Sequence, residues 1–237
     1  LTISAAYNAI ALGIDLSQID KIVLSHGHRD HTGGLLHMLR LMKKQVEVIA
    51  HPDIWAAKYI LRPKGRQDYI GVPFTKEAAE SLGASFNLTK DPVWIGDNIV
   101  SSGEIPMLTE YEKIDTILHV KEQGELKPDP LWDDRALFVK SEMGLIVILG
   151  CAHRGMINTI KYAQKLTGAE AIYAVIGGTH LIGASPERID LTIADLKKLR
   201  IQRLGVSHCT GLAAAATLAQ EFKETFFFNN AGTRISL

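Results

Sequence analysis

Apolar residues along this chain keep changing their period. The opening LTISAAYNAIALGIDLSQID reads as a helix stopped at Gly13 and followed by a short turn. KIVLS (21–25) is a short β-branched run, and from Thr32 the apolar positions Leu35, Met38, Leu39 and Met42 recur at helical spacing. VEVIA (46–50) is the next strand, HPDIWAAKYI begins with a proline-containing helix entrance, and TKEAAESLG is a short helix ended by Gly83. Strand, helix, strand, helix predicts a sheet flanked by helices.

The pattern weakens between about Ala84 and Asp134. Short strand-like pieces (SFNL, VWIG, NIVSS) alternate with Gly, Pro and Asp, and the polar run EQGELKPDPLWDD is expected as a mobile loop, one wall of a pocket. Regularity returns at ALFVK, a turn over 142–144, and LIVILG, which together predict a hairpin. A helix over about 155–166, the strand AIYAVIGG, a helix over about 186–199, the strand RLGVS, a helix over about 212–222 and the strands FFF and RISL complete the chain. No fixed-period repeat is present, although the layout suggests one domain over 1–237 made of two αβ halves, roughly 1–125 and 126–237.

Composition narrows the classes of partner. With 237 residues and 46% hydrophobic side chains the chain can bury a substantial core. Its 26 Lys+Arg equal its 26 Asp+Glu, so no basic field argues for nucleic acid and no polybasic run for an anionic membrane. A small molecule is the expected partner, and nothing in the pattern specifies an oligomeric state. No apolar segment of roughly 18 residues and no leader pattern appears, which predicts a cytoplasmic protein. The two cysteines, Cys151 in GCAH and Cys209 in SHCTG, both neighbour histidines, and thiols lining a site fit better than a structural disulfide.

The densest chemistry lies in VLSHGHRDHTGG (23–34). Three histidines and an aspartate fall within His26–His31, at a strand-to-helix turn, and a core would have to satisfy several imidazoles at once. Alternation points His26 and His28 the same way, after which the turn presents Asp30 and His31 as a second set. Zinc accepts imidazole nitrogen and carboxylate oxygen and, in catalytic sites, keeps a position open. Four ligands in one turn suit two neighbouring ions better than one. Further donors recur at strand exits: LIVILG runs into Cys151 and His153, YAVIGG into His180, and RLGVS into His208 and Cys209. In open α/β sheets such exits converge on one crevice.

HGHRDH resembles the HxHxDH signature of the metallo-β-lactamase superfamily. GCAHRGMINTI, VIGGTHL and SHCTG, with LGIDLSQIDKIVLSHGHRDHTGG, resemble the subgroup that includes an archaeal dihydropterin ribofuranosyl-aminobenzene phosphate synthase. The resemblance spans nearly the whole chain. It implies an α/β fold, the four-layered αβ/βα sandwich, with a metal site between the sheet edges; the strands that normally precede the first helix are missing here, so a natural protein longer by a few tens of residues is expected.

Carried over by position, the resemblance gives His26 and His28 to a first ion, Asp30 and His31 to a second, and His208 to the second as well. Two departures stand out. The family's middle histidine has only His119 as an upstream counterpart, and the strand that should end in Gly-Asp ends in Gly150-Cys151, so His153 is expected to supply the first-site nitrogen. Cys151 in place of the bridging aspartate leaves occupancy by one or two ions open. Zn²⁺ is the expected ion, with Mg²⁺, Mn²⁺ or Fe²⁺ as alternatives.

The implied activity is metal-dependent hydrolysis of a small anionic, phosphorylated substrate through a metal-bound hydroxide. Asp30 would orient the water and His180 would give a proton or contact substrate. The alternative is an Mg²⁺-dependent pterin-diphosphate transferase; an iron oxygenase and a non-catalytic metal-binding protein are further rivals. Arg154, before Gly155 at a helix start, reads either as an anion contact or as a surface charge. His37 and His119 read as surface residues, His51 as a helix-entry residue, Cys209 as packing and Trp132 as a pocket wall or a cap.

Overall fold

A computed structural model describes residues 3–236. In chain order its strands are β1 (Lys21–Val23), β2 (Val46–Ala50), β3 (Ala57–Leu61), β4 (Gln67–Tyr69), β5 (Ala84–Leu88), β6 (Val93–Trp94), β7 (Ile99–Ser101), β8 (Leu118–Glu122), β9 (Glu125–Pro128), β10 (Leu137–Ser141), β11 (Gly144–Leu149), β12 (Ile172–Gly178), β13 (Arg203–Ser207) and β14 (Phe226–Phe228). Its helices are α1 (Ser4–Ala11), α2 (Arg29–Thr32), α3 (Leu35–Met42), α4 (Lys76–Glu80), α5 (Met156–Thr167), α6 (Pro186–Leu199) and α7 (Leu212–Phe222). Two compact units result: the first takes the chain up to Lys90 together with Asp115–Asp133, the second Asp91–Ile114 and everything described from Asp134 onward. Among the described residues no helix is long and apolar enough to cross a membrane.

In the first unit β1, β2 and β5 form a parallel sheet in that order. Leu35, Leu39 and Met42, one stripe of α3, pack with Val46, Val48 and Ile54, so the 3.6-residue period of the sequence is spent on one buried face. Lys43 ends α3 in the left-handed region (φ 52). Gly83 ends the segment after α4 at φ +102, where a Cβ would stand 2.5 Å from the Lys44 carbonyl oxygen; only glycine fits there.

A second, antiparallel sheet in this unit has the order β4-β3-β8-β9 and corrects two expectations. HPDIW makes a single 3₁₀ turn, Pro52–Trp55, capped by His51, whose Nδ1 accepts the Asp53 amide at 3.0 Å; AKYIL is not helical but pairs with β4 and β8. The β-branched and aromatic residues of that run favour a pleated surface once two partner strands exist. EQGELKPDPLWDD is no mobile loop. It carries the β8–β9 hairpin and then a turn in which Asp129, Leu131 and Asp133 are all buried, because the two carboxylates meet the ammonium of Lys58.

The second unit is built on a seven-stranded sheet of order β14-β13-β12-β11-β10-β7-β6. Pairing is parallel from β14 to β11 and antiparallel from β11 to β6, with β10 and β11 forming the expected hairpin. Leu145, Val147 and Leu149 of β11 face one core with α5, α6 and α7, while Ile146 and Ile148 face a smaller cluster with Tyr173 and Ala174. Burial on both faces explains why these strands read as near-continuous apolar runs. RISL is not a strand: residues 233–236 are irregular, Ile235 packs on that smaller cluster, and the Ser236 carbonyl accepts the Tyr173 hydroxyl at 3.3 Å. Leu237, like Leu1 and Thr2 of the expected first helix, lies outside the described residues.

Candidate metal centre

In the first unit β1 leads into an extended segment that turns helical at α2, with His28 at the N-cap (φ −75, ψ 143). His26 and His28 are buried, and the His26 ring lies 4.5 Å from that of His28 and 4.2 Å from that of His31. The Ser25 hydroxyl sits 3.1 Å from His26 Nδ1 and 3.4 Å from His31 Nδ1, holding both rings from one side. Asp30, half exposed, places Oδ2 3.5 Å from His31 Nε2. The turn from extended to helical backbone thus brings all four residues of HxHxDH to one place.

The support beneath the loop was invisible in the sequence. Gly27, between the two buried histidines, donates its amide to Asp133 Oδ2 at 2.7 Å, and a Cβ there would stand 2.5 Å from the Ile54 carbonyl oxygen. Asp133 Oδ1 accepts from Lys58 Nζ at 2.9 Å, and Asp129 Oδ2 accepts from the same nitrogen at 2.8 Å. Burial pulls the Lys58 pKa down, but Asp133 and Asp129 outweigh it and hold it above its ordinary value. Burial, and then the charge of Lys58, lower the pKa of His28 to about 3. His28 is therefore neutral at pH 7, the form in which imidazole binds a metal.

In the second unit β11, β12 and β13 are parallel neighbours, so their exits adjoin. Cys151 and His153 follow β11, His180 follows β12, and His208 and Cys209 follow β13. The ligand atoms of Cys151, His208 and Cys209 lie within 4.8 Å of one another, and the His153 and His180 rings are 4.1 Å apart. The His180 amide donates to Cys209 Sγ at 3.2 Å. A hydrogen bond from the Cys151 thiol, and next the His180 side chain, bring the Cys209 pKa down to about 4 against the effect of burial. Ala152, His180 and His208 all take left-handed backbone (φ 54, 44 and 52), a conformation costing each on the order of 1 kcal/mol.

Arg154 is not a surface charge. It is buried, its amide donates to Asp134 Oδ2 at 2.9 Å, and its Nε donates to the Ile105 carbonyl at 2.5 Å. The N-terminus of α5 is likewise taken: the Glu112 carboxylate accepts the amides of Ile157 and Asn158 at 2.8 and 2.7 Å. Nothing in YEKID marked Glu112 for this task. His37 lies half-buried on α3, His119 half-buried on β8, and Trp94 and Trp132 are exposed.

A family model described as a beta-lactamase superfamily domain matches residues 5–65. The 7,8-dihydropterin-6-methyl-4-(beta-D-ribofuranosyl)-aminobenzene-5'-phosphate synthase of Methanocaldococcus jannaschii is 38% identical over 229 residues, covering 95% of this chain and 78% of the archaeal one. The chain belongs to the metallo-β-lactamase superfamily. An uncharacterised protein of the same organism is 34% identical over 220 residues, 92% of this chain and 78% of its own. The crystal structure of a metal-dependent hydrolase of the beta-lactamase superfamily aligns with a TM-score of 0.84 at 26% identity, covering 98% of this chain and 84% of that one. The α/β fold of this superfamily member is the one its motif implied.

Proposed function

We propose that this superfamily member is a metal-dependent hydrolase of a small, phosphorylated substrate, acting in the cytoplasm. The observation that carries the reading is the His26–His31 turn: two buried histidines, one of them kept neutral at pH 7, pinned through Gly27 to a buried ion-pair network. Its donors, three imidazoles and a carboxylate, suit a zinc-class ion. In the proposal His26 and His28 serve one ion, and Asp30 and His31 a second. The bound metal would polarise a phosphoryl oxygen and lower the pKa of water. Asp30, partly open to solvent, would orient that water, and His180 would give a proton to the leaving group or contact the substrate.

The 38% identity to the archaeal synthase favours a second reading, a transferase in which Mg²⁺ neutralises a departing pyrophosphate. One experiment separates the two. Protein purified without chelator is analysed for metal per chain and offered phosphate monoesters and diesters, then a pterin diphosphate with an aromatic acceptor. Close to two zinc-class ions, with hydrolysis abolished in His26→Ala, is the expected result. Pyrophosphate release that needs the acceptor and Mg²⁺ would move the assignment to the transferase, and a His26→Ala protein that keeps both metal and activity would sink both.

A further inference from the structure

The two cysteines leave the sheet from strands that do not touch. β12 lies between β11 and β13. Neighbouring strands stand about 4.8 Å apart, so Cys151 after β11 and Cys209 after β13 start from chains roughly 9.6 Å apart. A disulfide spans at most about 7 Å between Cα atoms. Yet the two sulfurs lie within 4.8 Å of each other and share a hydrogen bond. Both exits therefore curl inward over β12.

Two features make that approach possible. At Gly178, the last residue of β12, a Cβ would stand 2.7 Å from Cys209 Sγ and 3.2 Å from Cys151 Cα, so only glycine leaves room for both cysteines over the middle strand. The backbone beside each is left-handed, at Ala152 directly after Cys151 and at His208 directly before Cys209. Strain of that kind persists only where the surroundings over-determine it. No disulfide joins the pair. Forming one, at about 2 Å between sulfurs, requires them to close by less than about 3 Å, the swing of a side chain about its Cα–Cβ bond.

The two thiols are not equivalent. Cys151 is buried, whereas Cys209 is half-buried, and Ser207, His208 and Thr210 on either side of it line a cavity of about 220 Å³. The His180 amide donates to Cys209 Sγ at 3.2 Å. An amide aimed at a sulfur stabilises the charge it carries while it attacks or departs. Solvent access and that donor make Cys209 the attacking sulfur, with Cys151 behind it to resolve the product.

We infer that Cys209 and Cys151 form a peroxide-reactive dithiol, a modification site of the second unit that closes reversibly to a disulfide. With hydrogen peroxide, the Cys209 sulfur bonds one oxygen as the O–O bond breaks, and the thiol proton leaves with the other oxygen as water. The Cys151 sulfur then displaces the hydroxyl group of the resulting sulfenic acid, and its own proton departs with that hydroxyl as a second water. The sulfurs give up two electrons and the peroxide takes them; a dithiol reductant restores the pair by exchange. The inference goes beyond the proposed function, and its readout is a covalent bond, independent of hydrolysis.

The test treats the full chain, freed of reductant, with a few equivalents of hydrogen peroxide, as purified and again after chelation. Both thiols should be lost together, with the mass falling by two hydrogens, the peptides around residues 151 and 209 joined, and dithiothreitol restoring the starting state. A disulfide in neither preparation, a bond formed only between two chains, or oxidation straight to sulfinic acid would overturn the inference. Variants fix the order of events. Cys151→Ser should hold Cys209 as a sulfenic acid that dimedone captures, and Cys209→Ser should slow oxidation of Cys151 by at least about tenfold. Oxidation of Cys151 at an unchanged rate in Cys209→Ser counts against Cys209 as the attacking sulfur.

Discussion

The two units hold histidines in place by different means. In the first, the HxHxDH turn rests on electrostatics: Lys58, Asp129 and Asp133 form a buried charge network, and one carboxylate reaches through to the Gly27 amide. In the second, donors sit at the ends of adjacent parallel strands under an extensive apolar core, and it is backbone conformation, left-handed at three positions, that aims them. A small parallel sheet with a turn to support needs added ionic ties. A seven-stranded sheet packed with three helices is stiff enough to carry strain instead.

Breaking the ionic tie should give the largest effect. Lys58→Ala leaves two buried carboxylates without their ammonium and should cost about 3–5 kcal/mol in urea unfolding, with faster hydrogen exchange at Gly27. A cost below about 1 kcal/mol, with exchange at Gly27 unchanged, would remove the contrast between the units.

The next effect is read by pH on metal-stripped protein. The folded pKa of His28, at about 3, lies below the ordinary histidine value of 6.5. Its neutral form contributes fully above about pH 6.5, and stability then falls as the unfolded chain takes up a proton that the folded chain refuses until about pH 3. By pH 5 the loss should be about 2 kcal/mol, read from denaturation midpoints, and His28→Gln should flatten that slope. An equal slope in the variant would place the acid sensitivity elsewhere.

The smallest effect sharpens the role assigned to strain. Lys43 ends α3 and Arg200 ends α6, both exposed and both left-handed at φ 52 and 51. Glycine at either position should raise stability by about 0.5 kcal/mol in thermal melts, equally in the two units, because helix ends carry no site. A gain confined to one unit would show that backbone strain is unevenly distributed even away from the donors.

Much of the second unit was legible along the chain. RLGVS, FFF and the helix over 212–222 emerge with the expected bounds, because strands buried on both faces and helices with one apolar stripe leave strong local patterns. The first unit was harder. AKYIL followed a proline that announced a helix, and it became a strand because β4 and β8 lie on either side of it. EQGELKPDPLWDD looked like exposed loop because charge in a sequence carries no sign of the partner that will bury it.

What the sequence determined by itself is the chemistry on offer: histidines and an aspartate spaced along a strand-to-helix turn in a motif that resembles the metallo-β-lactamase signature, cysteines and histidines after apolar strands, and an α/β alternation. Tertiary structure alone decided which charges are buried together, why Gly27 has to be glycine, that Glu112 rather than a ligand occupies the start of α5, and that Cys209 stands beside Cys151. Local spacing encodes the backbone's own geometry, whereas contacts between residues tens of positions apart depend on the packing of strands and helices that no single segment records.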